Sequence, residues 1–118
     1  SDRRRTVLHV SPHTVLTKSR TRALTSIGCH VVSVSTVGAA LFEISMGLCG
    51  ILLLCHKLDQ TGRCTLAEFF QHNCPEPYIV AVLAHEHDHY PAQAHARVIY
   101  SPGHGPLLRA IRQRLAAA

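Results

Sequence analysis

Tryptophan is absent from this chain of 118 residues, and the other large aromatic residues are few, with three Phe and three Tyr. Because proteins hold single-stranded nucleic acid by aromatic stacking as well as by charge, this scarcity disfavours a nucleic-acid-binding module. Acidic residues are also few, with 7 Asp and Glu against 12 Lys and Arg. We interpret the resulting basic patches as solvated surface or as a contact for a protein partner.

Long apolar runs are absent as well. The longest, Cys49 to Cys55, is the size of a strand and falls far short of the roughly 20 residues that cross a bilayer. The basic residues Arg3 to Arg5 are followed by the alternating Leu8, His9 and Val10 rather than by the apolar segment of a signal peptide. These features predict a soluble, cytoplasmic domain with no membrane partner.

The cysteines form no C-x-x-C pair and no regular framework. There are five of them, an odd number: Cys29, Cys49, Cys55, Cys64 and Cys74. Such a set argues against disulfides and for a reducing compartment, with most of the thiols serving as small core side chains.

What the chain does contain is an alternation of strand-length apolar segments with segments of helical period. The predicted strands are 6–10, 30–34, 50–55, 78–83 and 97–100. Alternation of this kind predicts parallel strands joined by crossover helices, with the third and fourth strands covered on both faces. The length fits a single domain over residues 1–118, with residues 1–5 expected to form a disordered basic arm.

The helices are predicted from apolar spacing and from capping residues. Residues 15–27 form the first, although Arg20 interrupts its apolar stripe. Ser35 or Thr36 caps the second, which Gly47 ends, and Thr65 with Glu68 has the spacing of a capping box that opens the third. Pro106 begins the last helix. Between residues 84 and 97 there is room for little more than two helical turns, which predicts a shortened fourth crossover helix.

Four segments resemble the successive landmarks of response regulator receiver domains, in the right order along the chain. They are 7–10 with its following loop, 28–32, 50–55 and 77–84, and Ser101-Pro102 looks like the Lys-Pro that follows the fifth strand in that family. The resemblance implies an α/β, flavodoxin-like, doubly wound sheet of five parallel strands in the order 2-1-3-4-5 between two helical layers. It also implies a cis Ser101–Pro102 peptide.

The resemblance fails at the residues that accept a phosphoryl group. Working receivers have acidic metal ligands after the first strand, an acceptor Asp after the third, a hydroxyl after the fourth and a Lys after the fifth. Here these positions match Ser11 and Pro12, Cys55, Leu83, and Ser101, respectively. Mg²⁺ needs oxygen ligands and phosphoryl transfer needs charge neutralisation, so we expect neither metal, cofactor nor catalysis. Asp59, the nearest remaining acid, lacks the partners that would activate it.

Two alternatives rest on the edge that carries these substitutions. His85, His87 and His89 would project to one side of an extended chain and could bind Zn²⁺ with a further ligand. His13, His56 and His104 are expected at the same edge as Cys55. Cys55, with His56 beside it, could be a redox-sensing thiol, although its apolar neighbours would blunt its reactivity.

The leading hypothesis from the sequence is a pseudo-receiver, a non-enzymatic signalling domain that works by contact with a signalling or output protein. In receivers the usual dimer and output surface includes the fifth strand and the last helix. In this chain that surface would contain Tyr100, Arg109 and Arg112. A second copy of the chain is the other partner considered, although the shortened fourth crossover makes the family's ordinary homodimer less favourable.

Overall fold

Five parallel strands form one sheet in the computed structural model, which describes residues 2–117. The strands are β1 (Thr6–Val10), β2 (His30–Val34), β3 (Ile51–Leu54), β4 (Tyr78–Leu83) and β5 (Ala96–Ile99). Their order across the sheet is β2-β1-β3-β4-β5, which confirms the flavodoxin-like topology. The predicted bounds of β1, β2 and β4 are confirmed, whereas β3 and β5 differ from prediction by a residue at each end.

Four α-helices lie within the described residues, two on each face of the sheet. They are α1 (Thr14–Ser26), α2 (Val37–Met46), α3 (Gln60–Asn73) and α4 (Gly105–Ala116). Both predicted boundary signals of α2 are confirmed. The Oγ1 of Thr36 accepts a hydrogen bond from the Ala39 N–H at 3.1 Å, and Gly47 ends the helix in a left-handed conformation with φ of 73°.

The start of α3 was predicted wrongly. The helix begins at Gln60, and the Oδ1 of Asp59 accepts a hydrogen bond from the Gly62 N–H at 2.7 Å. Thr65 and Glu68 therefore lie inside the helix and do not cap it. An earlier Asp can satisfy the free N–H groups of the first turn, and the additional turn buries part of Arg63 against the sheet.

The crossover between β4 and β5 contains no helix, so the prediction of a shortened one was wrong. Residues 84–95 form successive turns instead, closed by hydrogen bonds from Asp88 N to His85 O and from Ala94 N to Pro91 O. Pro91 is buried, and its ring removes the N–H that a helix would use. The Tyr90 hydroxyl accepts a hydrogen bond from Arg97 Nη1 at 2.7 Å, which fastens this segment across β5.

The basic segment before β1 is ordered where residues 1–5 were expected to be a disordered arm. Asp2–Arg5 forms a 3-10 turn, and Ser1 lies outside the described residues. A Cβ on Gly50 would come within 2.6 Å of the Arg3 carbonyl oxygen, so the turn packs closely against the start of β3. The Arg4 guanidinium donates to the carbonyl oxygens of Arg114 and Ala117. The side chain of Arg114 is half-buried, with its Cζ 5.1 Å from the centre of the Tyr78 ring.

The two faces of the sheet carry separate cores. On one face Leu8, Val10, Leu52 and Leu54 pack under α2 and α3. On the other face lies a second set, packed under α1 and α4, which includes Val7, Leu53, Val80, Val82 and Val98. Successive strand side chains point to opposite faces, which explains why β3 is buried throughout and β4 is buried from Ile79 onward.

The peptide bond before Pro102 tests the match of Ser101 to the receiver lysine. The Ser101–Pro102 peptide is trans, like every other peptide bond in residues 2–117, so the predicted cis bond was wrong. The trans form is the intrinsically favoured one, and the Ser101 carbonyl accepts from the His104 N–H at 2.9 Å in the resulting turn. This removes one support for matching Ser101 to the receiver lysine.

Among the described helices, none is both long and apolar enough to cross a membrane.

Candidate functional site

The carboxyl ends of the strands bring the sequence-predicted positions to one edge of the sheet. Ser11 and Pro12 follow β1, Cys55 follows β3, Leu83 ends β4, and Ser101 lies two residues beyond β5. The parallel register aligns these ends, pairing Val10 with Leu54 and Leu54 with Ala81. The backbone hydrogen bonds between β1 and β3 continue beyond the end of β3, since Cys55 N donates to Val10 O at 3.2 Å.

Cys55 occupies the centre of this edge and has no exposed surface. Its Sγ accepts a hydrogen bond from the Lys57 N–H at 3.4 Å and lies 4.0 Å from His56 Nδ1. Ser11 is buried beside it, and its Oγ accepts from the His13 N–H at 3.1 Å. Both side chains therefore help to fix the loops that leave the sheet.

Two carboxylates in the loops that leave this edge, Asp59 and Asp88, form hydrogen bonds within their own loops. Asp59 caps α3 through Gly62, as described above. Asp88 Oδ2 accepts a hydrogen bond from the His85 N–H at 2.9 Å. Neither is hydrogen-bonded to the thiol of Cys55 or to the hydroxyl of Ser11.

A group of buried and half-buried basic and aromatic side chains lies beneath the edge, and we call it the histidine–arginine cluster. Its members are His9, Arg20, His56, Tyr100 and His104. Arg20 is at its centre and is completely buried. Its Nη1 donates to His9 Nε2 at 3.3 Å and its Nη2 donates to His56 Nδ1 at 3.1 Å. Both imidazoles accept these bonds in their neutral form, because a guanidinium can only donate.

Aromatic contacts complete the cluster. The Tyr100 ring stacks on His56 with centroids 4.8 Å apart, and the Arg20 Cζ lies 5.8 Å from the centre of the same ring. His104 Nε2 lies 2.7 Å from Ser19 Oγ, which ties the turn before α4 to α1. His104 has a left-handed backbone with φ of 58°, an unfavourable conformation for a residue other than glycine.

The electrostatics of the cluster keep its histidines neutral. Burial, followed by the positive charge of Arg20, lowers the pKa of His9 to about 3 and that of His56 to about 4. The same two causes, in the same order, lower the pKa of His104. Arg20 is thus the fixed charge of the cluster, and none of the described carboxylates forms an ion pair with it.

Known structures resemble the chain closely in fold, although no protein-family model and no curated protein sequence matches it. The response regulator protein TrrA from Thermotoga maritima, solved with Mg²⁺-BeF, superposes with a TM-score of 0.81 at 16% identity, covering 93% of this chain and 98% of TrrA. TrrA in complex with the histidine kinase ThkA gives 0.79 at 16% identity, covering 95% and 99%. The beryllofluoride-activated NtrC4 receiver domain dimer gives 0.79 at 16% identity, covering 93% and 95%.

The chain has the fold of a receiver domain. At these identities the likeness concerns the fold, and the chemistry must be read from the residues themselves. The receiver edge here presents a thiol, a hydroxyl and buried cationic and imidazole groups. This combination offers donors to an anion, whereas it offers no carboxylate to a divalent metal ion.

The central role of Arg20 was not predicted from the sequence. In the sequence, Arg20 interrupts the apolar stripe of α1, with Leu16 and Leu24 one turn away on either side. A charged residue between two core positions at i−4 and i+4 was the available signal, because that spacing forces its side chain toward the sheet.

The three loop histidines that the sequence offered as an alternative Zn²⁺ site are not grouped as such a site. His85, His87 and His89 are exposed, and the chain turns between His85 and Asp88 instead of running extended. Within residues 2–117 no three His, Cys, Asp or Glu side chains are grouped so that they could hold a metal ion. Of the other edge histidines, His56 and His104 join the cluster, whereas His13 caps α1 by accepting from the Leu16 N–H at 3.2 Å.

The three residues of the predicted interaction face differ in their exposure. Arg109 and Arg112 are exposed on α4. Tyr100 is half-buried, and its ring contacts are with the histidine–arginine cluster. The tyrosine therefore connects the interior of the edge to the surface beside α4.

Proposed function

We propose that this chain is a pseudo-receiver, a domain of two-component signal transduction that acts in the cytoplasm through protein contact and does not accept a phosphoryl group. One observation carries the proposal. At the edge where receivers carry metal ligands and an acceptor, the chain carries Ser11, Pro12 and the buried Cys55. Leu83 and Ser101 stand in place of the hydroxyl and the lysine.

The charge distribution supports the loss of phosphorylation. A divalent metal ion requires several oxygen ligands, and the transferred group requires both the metal and a cation in line with it. Here the fixed positive charge of Arg20 lies beneath the edge, and Arg63 is also buried nearby on α3. These charges repel a metal ion, so neither the ligands nor the field favours one.

We infer that the domain functions by binding a protein partner. TrrA has been solved bound to the histidine kinase ThkA, and the NtrC4 receiver domain has been solved as a dimer. We place the contact on the surface of Tyr100, Arg109 and Arg112, where the exposed guanidinium groups suit an acidic partner surface. Mutual repulsion of two such surfaces disfavours a homodimer through the same face.

Mass spectrometry after incubation with acetyl phosphate and Mg²⁺ tests the proposal. We expect no phosphate on this chain, and full labelling of TrrA as the positive control. In a second arm, the double variant Arg109→Glu, Arg112→Glu is compared with the wild type for capture of histidine kinases and output proteins from the native host. Charge reversal at Arg22, exposed on α1, is the matched control. Stable phosphorylation of the wild type would overturn the proposal, as would capture unaffected by the double variant.

A further inference from the structure

Arg20 poses an electrostatic problem that the receiver fold does not explain. Its guanidinium is completely buried, yet its hydrogen-bond acceptors are the neutral imidazoles of His9 and His56. Burying an ion without an opposite charge costs several kcal/mol, and contacts with neutral imidazoles and a tyrosine ring recover only part of this cost. No carboxylate among the side chains that the structure describes supplies the missing charge.

Two N–H donors in the cluster also lack an acceptor. They are Nε of Arg20 and Nδ1 of His9, both buried. Because His9 Nε2 accepts from Arg20, the proton of the neutral ring must lie on Nδ1, which makes that atom a donor. Buried donors without acceptors are rare in proteins, and the free Nε of Arg20 belongs to an uncompensated cation, for which a negatively charged acceptor is the best match. His9 does not line the cavity described next, so Arg20 alone carries this point.

A small cavity borders Arg20 on the same face of the sheet. Its volume is about 10 Å³, and its walls include Arg20, Tyr100, Ser101 and His104 together with apolar side chains from β4, β5 and α4. This is the space open to the centre of a water-sized sphere, so the cavity has room for one water molecule or one slightly larger monatomic ion. Ile99, one of the lining residues, is partly exposed to solvent.

We propose that this cavity binds a single monatomic anion, of which chloride is the abundant example. The guanidinium of Arg20 supplies the charge, and the Ser101 hydroxyl and the His104 ring are further donors in its wall. A halide is spherical and accepts from several directions, which suits donors that come from different elements. Phosphate and sulfate have five heavy atoms and exceed the available volume. The site does not depend on whether the chain accepts a phosphoryl group.

Thermal unfolding of the purified chain at constant pH and ionic strength tests the proposal, with sodium gluconate replaced stepwise by sodium chloride or bromide. Because an anion that binds only the folded state stabilises it by mass action, we expect Tm to rise along a saturable curve. The rise should be about 5 °C when chloride is at about ten times its dissociation constant. Sodium sulfate stabilises folded proteins through exclusion from their surface, so at the same ionic strength it should give a rise that does not saturate and that Arg20→Met retains.

Arg20→Met should abolish the chloride dependence, and Arg22→Gln is the matched control because it removes an exposed charge from the same helix. Equal Tm values of the wild type in chloride and gluconate would overturn the proposal, as would equal loss of the response in both variants. If Arg20→Met does not fold, the ³⁵Cl NMR line width of wild-type samples decides the matter. Saturable broadening that bromide reverses supports the site, and its absence refutes it.

Discussion

Cys55 is a buried thiol at the position that the receiver resemblance matches to the acceptor aspartate. It is completely buried, and its sulfur accepts a backbone hydrogen bond. Of the other cysteines, Cys64 and Cys74 are half-buried, and burial raises the pKa of Cys49 to about 11. The more accessible thiols are therefore Cys64 and Cys74, within α3 and at its end, rather than Cys55.

Labelling the native chain with a thiol reagent should follow that order. We expect Cys64 and Cys74 to react first and Cys55 at least about tenfold more slowly, because a buried thiol reacts only after local opening of about 1.4 kcal/mol or more. Peptide mapping by mass spectrometry identifies the labelled residues, and Cys55→Ala provides the control. Labelling of Cys55 as fast as that of Cys64 would revive the redox-sensor alternative.

Helix α3 shows how two capping signals compete at the level of one element. Asp59 and Thr65 both precede apolar residues, and the chain uses the earlier one. The earlier start also explains why Asp59 is a poor candidate for phosphorylation, because its Oδ1 is bonded to the first turn of the helix.

Replacing Asp59 with Ala should lower the free energy of unfolding by about 1 kcal/mol, since loss of an N-cap leaves a backbone N–H of the first turn without its partner. Thr65→Ala is the matched control. Thr65 is exposed and lies in the middle of the helix, so we expect its replacement to change the free energy of unfolding by no more than about 0.5 kcal/mol. Urea unfolding of both variants makes the comparison. A larger loss for Thr65→Ala than for Asp59→Ala would place the start of the helix at the later residue.

The elements were predictable from the sequence to the extent that local signals agreed with the packing. Burial on both faces gave β3 and β4 their continuous apolar runs, and Thr36 and Gly47 marked α2 unambiguously. The turns that replace the fourth crossover helix were missed because their stability comes from distant contacts such as Tyr90 with Arg97. The role of Arg20 was missed for a related reason, since its partners lie on β1 and in the loops after β3 and β5.

Across the whole molecule, the neutral histidines link stability to pH. The pKa of His9 is lowered to about 3 and that of His56 to about 4, whereas an unfolded histidine titrates near 6.5. Between these values the unfolded state binds more protons than the folded state. Their contribution to stability is therefore complete above about pH 6.5 and is lost as the pH falls toward 4.

Urea unfolding between pH 7 and 4.5 should accordingly show a steady decrease in stability as the pH falls, in a window above the titration of most carboxylates. His9→Gln removes one of the responsible groups and should flatten the dependence. The exposed loop variant His85→Gln, His87→Gln is the control and should retain the wild-type slope. An unchanged slope in His9→Gln would contradict the assignment.

The contact of Arg4 with the carbonyl oxygens of Arg114 and Ala117 has a consequence for how such a domain can be joined to other chains. It holds the first and last described segments side by side at the amino edge of the sheet. A domain whose ends adjoin adds little distance between the segments that flank it, so it can be carried as an insertion within a host protein as readily as at its terminus. The same proximity makes the fold suitable for circular permutation, with new ends opened in the turns between β4 and β5.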